Sequence, residues 1–310
     1  MCMRKYLHYT FNNEGNPRGS LLSLPPVLFG QKRQSSDRSR KARKVPAQVQ
    51  RRKLRPENGS IKKMTFTGAE RCSRFCYENN EMDVILLSYT PEPDALVAAA
   101  ARICYRDITA SELLHGEEQK LSRKLIAELF SSGHMSTFEH VSFTFGIDGL
   151  SRVSSHQLVR HRVASFSQQS QRYVKMTDDP DAVIIPPSIQ DNPEALRLYA
   201  EAVRKSQETY RELSGMGIPK EDARFILPHG HSTRLVMTMN ARELHHFFSL
   251  RLCRRAQWEI HELARKMLIL CREKAPVLFE KAGPGCIYGK CGEARTCGKP
   301  YKDMEELLFV

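Results

Sequence analysis

The chain lacks a glycine-rich phosphate loop of either familiar kind. It has no G-x-G-x-x-G after a strand and no G-x-x-x-x-G-K-[ST], so neither a dinucleotide-binding βαβ unit nor a P-loop is signalled. The G-x-S-x-G elbow is absent too, which makes Ser170 with His161 a poor hydrolase pair. No apolar run is long enough to span a bilayer; the nearest approach, Leu21 to Phe29, is short and broken by Pro25 and Pro26. The nine cysteines follow no regular framework and include no C-x-x-C pair, so they read as reduced thiols of a cytoplasmic protein. Cys286, Cys291 and Cys297 stand near one another, but the segment offers no fourth ligand, and no metal is expected.

The most informative absence is local. "RHRVASFSQQSQRYV", residues 160 to 174, carries four cationic or imidazole side chains, three serine hydroxyls and three amides, without a single acid. A solvated basic face would normally interleave Glu or Asp at i,i+4 spacing, and this stretch offers none. An anionic ligand is the better reading. An Arg fork beside hydroxyl and backbone donors is what a phosphate monoester needs. Preceded by "LSRVSSHQLV", which fits a helix, the segment would place Arg160 and Arg162 on different sides of a helix end.

What is present divides in two. Residues 1–81 hold 18 of the 48 Lys and Arg and 6 of the 35 Asp and Glu, leaving 30 and 29 for the remainder. Nearly all of the formal charge of +13 therefore belongs to the leader, and the body is close to neutral. Residues 31–56 are rich in Arg, Lys, Ser and Gln and too poor in apolar side chains to offset chain entropy. We read 1–81 as a disordered basic extension. Met82, opening "MDVILLSYTP", would make a sensible initiator. A transit peptide or a nucleic-acid-binding arm is the alternative for the leader; the second would show affinity that falls steeply with salt.

From 82 to 310 the pattern is that of one folded domain. "DVILLSYT", "HVSFTFGID" and "STRLVMTMN" read as strands, and "AVIIPPSI" as a short fourth one. Helices are expected over 93–105, through Leu121, Leu125 and Leu129 up to Gly133, over 193–214, and in "ARELHHFFSLRLC" and "AQWEIHELARKMLILCREKA". Strands and helices mix without regular alternation, so the class is α+β. Arg224, Arg242 and Arg251 sit among apolar neighbours, where a guanidinium is costly unless paired or used on a ligand. His134 and Glu139 in "GHMSTFEH" add polar groups in a loop.

These residues resemble a known family. "RHRVASFSQQS" has the form R-H-R, seven residues, then S, the signature of the flavin-dependent thymidylate synthases. "SSGHMSTFEHVSFTF", "SHQLVRHR", "EDARFILP", "NARELHHFFSLRLC" and "RAQWEIHELA" resemble its other blocks, in the right order, over about residues 82–300. The resemblance implies a central, mainly antiparallel sheet flanked by helices, with active sites between the subunits of a homotetramer. It implies FAD as cofactor, with dUMP, methylenetetrahydrofolate and NADPH as small-molecule substrates, and no nucleic acid or membrane partner. Ser136, Arg160, His161, Arg162, Gln168, Asn240, Arg242 and His246 are implied as FAD contacts, with His134 near the flavin. Gln157, Arg160, Gln168, Gln169, Ser170, Gln171, Arg172, Arg224 and Arg251 are implied as dUMP contacts, Arg251 being the catalytic group that polarises the uracil ring. Thr137 stands where the family often has Pro, and Gln168 and His246 where some members have Glu and Asn. The alternative for the body is a dUMP-dependent NADPH flavin oxidoreductase that does not transfer the methyl group.

Overall fold

The computed structural model describes residues 82–109, 111–112, 123–175, 182–289 and 291–309. The basic leader over 1–81, and with it the reading of those residues as an extension, lies outside the described residues.

Four strands form one antiparallel sheet in the order β1-β2-β4-β3. They are β1 (Asp83–Tyr89), β2 (Ser142–Ser151), β3 (Ala164–Gln168) and β4 (Ser232–Asn240). Period-two alternation decides which face is covered. Phe143, Phe145 and Ile147 of β2 and Met237 of β4 are fully buried, whereas Ile85, Leu87 and Val236 look outward. The covered face meets α1 (Pro93–Ile103), α2 (Arg123–Ser132), α7 (Ala241–Arg251) and α8 (Trp258–Lys274) in a single core. α2 stops at Gly133, whose φ of 77° an L side chain would resist. Gly149, at φ 81°, sits where the β2–β4 register shifts between Asp148 and Leu150, a bulge that bends the strand before its last residues.

Helix starts are capped by the side chains the sequence places there. Asn240 Oδ1 accepts from Glu243 N at 2.8 Å to open α7, and Gln257 Oε1 accepts from Glu259 N and Ile260 N to open α8. α3 (Arg152–Leu158) begins directly from β2, with Ser151 accepting from Ser154 N. Buried Glu259 ties these starts together, since its carboxylate accepts from Ser151 Oγ at 2.5 Å, Ser154 Oγ at 2.6 Å and Ser151 N at 2.6 Å. A long helix, α5 (Pro193–Gly215), packs on α6 (Lys220–Ala223) and the following 3₁₀ turn through Tyr210, Leu213, Ala223 and Leu227. That small cluster carries Arg224 to the edge of the sheet.

Three local expectations need correction. α3 ends at Leu158, so Arg160 and Arg162 lie beyond the helix and do not share its end. The reason is Val159 to Arg162: the N–H groups of Arg160 and His161 close onto Gln157 and Leu158 carbonyls, and the chain then turns outward. "AVIIPPSI" contributes only a bridge between Val183 and His231, because Pro186 and Pro187 start the short helix α4 (Pro187–Gln190) instead. Met135–His140 forms a 3₁₀ helix and not an open loop. The sequence reading also missed β3, which runs through the Arg- and Ser-rich segment itself.

Candidate active site

Two groups of polar side chains converge beside the β3–β4 edge and the start of α7. The first is tight. His161 is buried between α3 and α7; its Nδ1 lies 2.9 Å from Glu243 Oε1, and Arg251 Nε donates to its Nε2 at 3.1 Å. An acceptor role for Nε2 places the proton on Nδ1, so the ring is neutral and donates to the Glu243 carboxylate. Its pKa is lowered for the same reason: burial disfavours the cation and the Arg251 charge opposes it, against the Glu243 hydrogen bond that raises it. Glu243, His161 and Arg251 thus form a carboxylate–imidazole–guanidinium chain. Arg251 is half-buried at the last turn of α7, and its Nη2 also reaches the Gln157 carbonyl at 3.5 Å. His246 stacks edge-on against His161, with ring centroids 5.7 Å apart.

His161, Glu243 and His246 bring ligand atoms within 4.8 Å of one another. Both nitrogens of His161 are engaged, one by a carboxylate and one by a guanidinium whose charge would repel a cation. The arrangement orients Arg251 and is a poor metal site.

The second group is looser and more positive. Arg152, at the start of α3, donates from Nη2 to the Gln169 carbonyl at 2.7 Å, while its buried Nε has no partner among the described residues. Burial and the nearby Arg224 charge lower its pKa. Arg224 spends only Nε, on the Glu221 carbonyl at 3.1 Å. Two guanidinium groups near enough to feel each other's charge, with no ion pair to either among the described residues, suit an anion. Gln169, Ser170 and Gln171 line the same turn, with Gln171 buried. Ser170 Oγ accepts from Arg172 N at 3.2 Å and meets no base among the described residues, so nothing activates it as a nucleophile.

Comparison with known proteins gives the arrangement a family. Residues 85–277 match the family described as thymidylate synthase complementing protein. The flavin-dependent thymidylate synthase of Geobacter sulfurreducens is 48% identical over 223 residues, 70% of this chain and 94% of the relative. The chain belongs to the flavin-dependent thymidylate synthases. The Clostridium tetani member is 43% identical over 70% of this chain and 93% of its own length. A crystal structure of the UMP/dUMP methylase PolB from Streptomyces cacaoi, bound with 5-Br dUMP, matches with TM-score 0.57 and 28% identity, over 64% of this chain and 94% of that one. The chain is accordingly an enzyme, a flavin-dependent methyltransferase.

Of the residues expected at the site of this synthase, His161, His246, Arg251 and the Gln157 backbone fall into the tight group. Gln169 to Gln171 and Arg224 fall into the positive one, and Gln168 joins β3 to β4 through Thr233 Oγ1 at 3.2 Å. Asn240 is at the α7 cap, where its carbonyl oxygen is already engaged. Arg242 is exposed and pairs with Glu139, and Arg172 pairs with Glu221 at 2.7 Å, so acids missing from the local sequence arrive from other elements. Arg160 and Arg162 are exposed and make no ion pair among the described residues. Ser136 and His134 lie apart on the exposed 3₁₀ turn. Beside Ser136, the buried Thr137 Oγ1 has no hydrogen-bond partner among the described residues. Two residues escaped the sequence reading. Glu243 sits one turn before Phe247 within an apolar helix face, where an acid needs a partner; that was a usable signal. Arg152 gave none, because only the fold sets it opposite Arg224.

Proposed function

We propose that this chain converts dUMP to dTMP, taking the carbon from methylenetetrahydrofolate and reducing equivalents from NADPH through FAD, and releasing tetrahydrofolate. The carrying observation is the chain from Glu243 through His161 to Arg251. When bound, the flavin supplies the hydride chemistry. Arg251 stabilises negative charge as it develops at N3 and O4 of the uracil ring, which makes C5 nucleophilic without any covalent enzyme group. His161 accepts from Arg251 Nε and so fixes the guanidinium before substrate arrives; Glu243 holds the imidazole tautomer that makes this acceptance possible. Arg152, Arg224 and the Gln169–Gln171 turn take the 5′-phosphate, with Arg172 and Ser170 at its rim. The donor set suits FAD as well: Arg160 and Arg162, which make no ion pair among the described residues, would hold its pyrophosphate, and Gln168, Asn240, Arg242 and His246, with His134 and Ser136 from the 3₁₀ turn, would hold the remainder.

We assign the enzyme to the cytoplasm as a homotetramer in which neighbouring subunits complete each site. Outward-facing Ile85, Leu87 and Val236, 50%, 51% and 41% exposed, support association, since an apolar sheet face of this kind is normally covered. Two measurements on the full chain test the reading: dTMP formation, and release of tritium from dUMP labelled at C5. Release with dTMP formation is expected. NADPH oxidation that dUMP stimulates without tritium release would instead establish the oxidoreductase alternative.

A further inference from the structure

Outside that site, one set of reactive side chains has no use in the reaction. Cys253, just beyond α7, shares a single cavity of about 470 Å³ with Cys286, Cys291 and Cys297. All four are unbridged. The local sequence supplies three thiols; folding brings the fourth from the α7–α8 connection.

None of the four is fully buried. Lys299 N donates to Cys297 Sγ at 3.4 Å across Gly298, whose φ is 72°. Arg254, Lys299 and Glu293 line the cavity wall, with Arg254 also paired to Glu306. Tyr301 lines the same cavity, and Arg254 covers its ring at 3.9 Å. The described residues from 291 to 303 form neither helix nor strand, and most are exposed. A segment that long without regular structure needs another source of order in a compact domain.

We propose that Cys253, Cys286, Cys291 and Cys297 bind one zinc ion as a tetrathiolate staple between the C-terminal segment and the end of α7. Four thiols release four protons to solvent and four Zn–S bonds form, with no change of oxidation state. The centre carries a net charge of about −2, which Arg254 and Lys299 face. No three of these sulfurs lie within 4.8 Å of one another, so binding draws the 291–297 loop inward. Gly292 and Gly298 have nothing within 4 Å of where a Cβ would stand, which leaves that loop room to move. Cys253 is two residues past Arg251, so the staple also steadies the helix end that carries the guanidinium.

The test is metal content of the full chain, together with cobalt(II) titration of the reduced, metal-stripped protein. About one zinc per chain is expected, with the strong visible absorption of tetrahedral thiolate-bound cobalt. Cys253→Ser and Cys297→Ser should each lower zinc content at least about fivefold while flavin binding persists, and the exposed Cys104→Ser should not. The wild-type cobalt titration decides the matter even if a variant fails to fold. Absence of thiolate–cobalt absorption, full zinc in both variants, or disulfides among these four cysteines in the purified chain would overturn the proposal.

Discussion

The two ends of the site differ in how complete each is within one chain. At the Arg251 end every group has its partner: Glu243 holds His161, and His161 holds Arg251. At the Arg152 end, Arg152 and Arg224 feel each other's charge, the buried Arg152 Nε has no partner among the described residues, and Arg172 is pinned to the surface carboxylate of Glu221. Polar groups that must act on a charge appearing only during reaction are best fixed beforehand, because reorganising them would consume the stabilisation they give. Groups that bind a charge already present can wait for it. The first end should therefore govern turnover and the second should govern substrate affinity.

Breaking the prebuilt end should have the largest effect. Arg251→Ala removes the positioned charge, and we expect kcat to fall about 10²- to 10³-fold with FAD still bound, measured by dTMP formation and flavin absorbance. Arg152→Gln should raise KM for dUMP about 10- to 100-fold with little change in kcat, as expected for one charge-assisted hydrogen bond. A fall in kcat of the same size at saturating dUMP would dissolve the distinction between the ends. Glu243→Leu should lower kcat about 10-fold by releasing the imidazole, and Glu243→Gln should recover most of it because an amide oxygen still accepts from Nδ1. Freeing the outer cation is the mildest change. Glu221→Gln breaks an ion pair whose members are about half exposed, so stability should move by less than about 1 kcal/mol and KM for dUMP by no more than about twofold.

Acid stability sharpens the contrast between adjacent histidines. His245 is packed against Phe279 and Phe130, donates to the Leu278 carbonyl from Nε2, and is held at about 4 by burial. Because the carbonyl can only accept, Nε2 carries the proton. The unfolded chain takes up this proton near the ordinary value of 6.5, before the folded chain can. The stabilisation is complete above that pH and is lost as pH falls toward 4, by roughly 3 kcal/mol. Urea unfolding at pH 7, 5.5 and 4.5 should record the loss, and His245→Phe should flatten it. His246, one residue later, is exposed and meets His161 edge-on instead.

Much of the fold was legible from β2, β4, α1, α5, α7 and α8, whose apolar period is strong and whose boundaries carry Asn, Gln, Pro or Gly. β3 was not, because its outward side chains are serines and its partner strand, β4, lies far along the chain. The site was half legible. Arg251 was visible as an arginine among apolar neighbours and the R-H-R motif as cations without local acids, but the acids that pair Arg172 and Arg242 come from other elements. Arg152 and Cys253 acquire meaning only from the side chains that folding sets opposite them.

The central claim is that His161 is a neutral acceptor for Arg251 before any ligand binds. Nitrogen NMR of the histidine-labelled chain at pH 7 measures this directly. A His161 ring protonated at Nδ1 alone, changing tautomer balance in Glu243→Leu, is the predicted result. An imidazolium, or a ring protonated at Nε2, would contradict it.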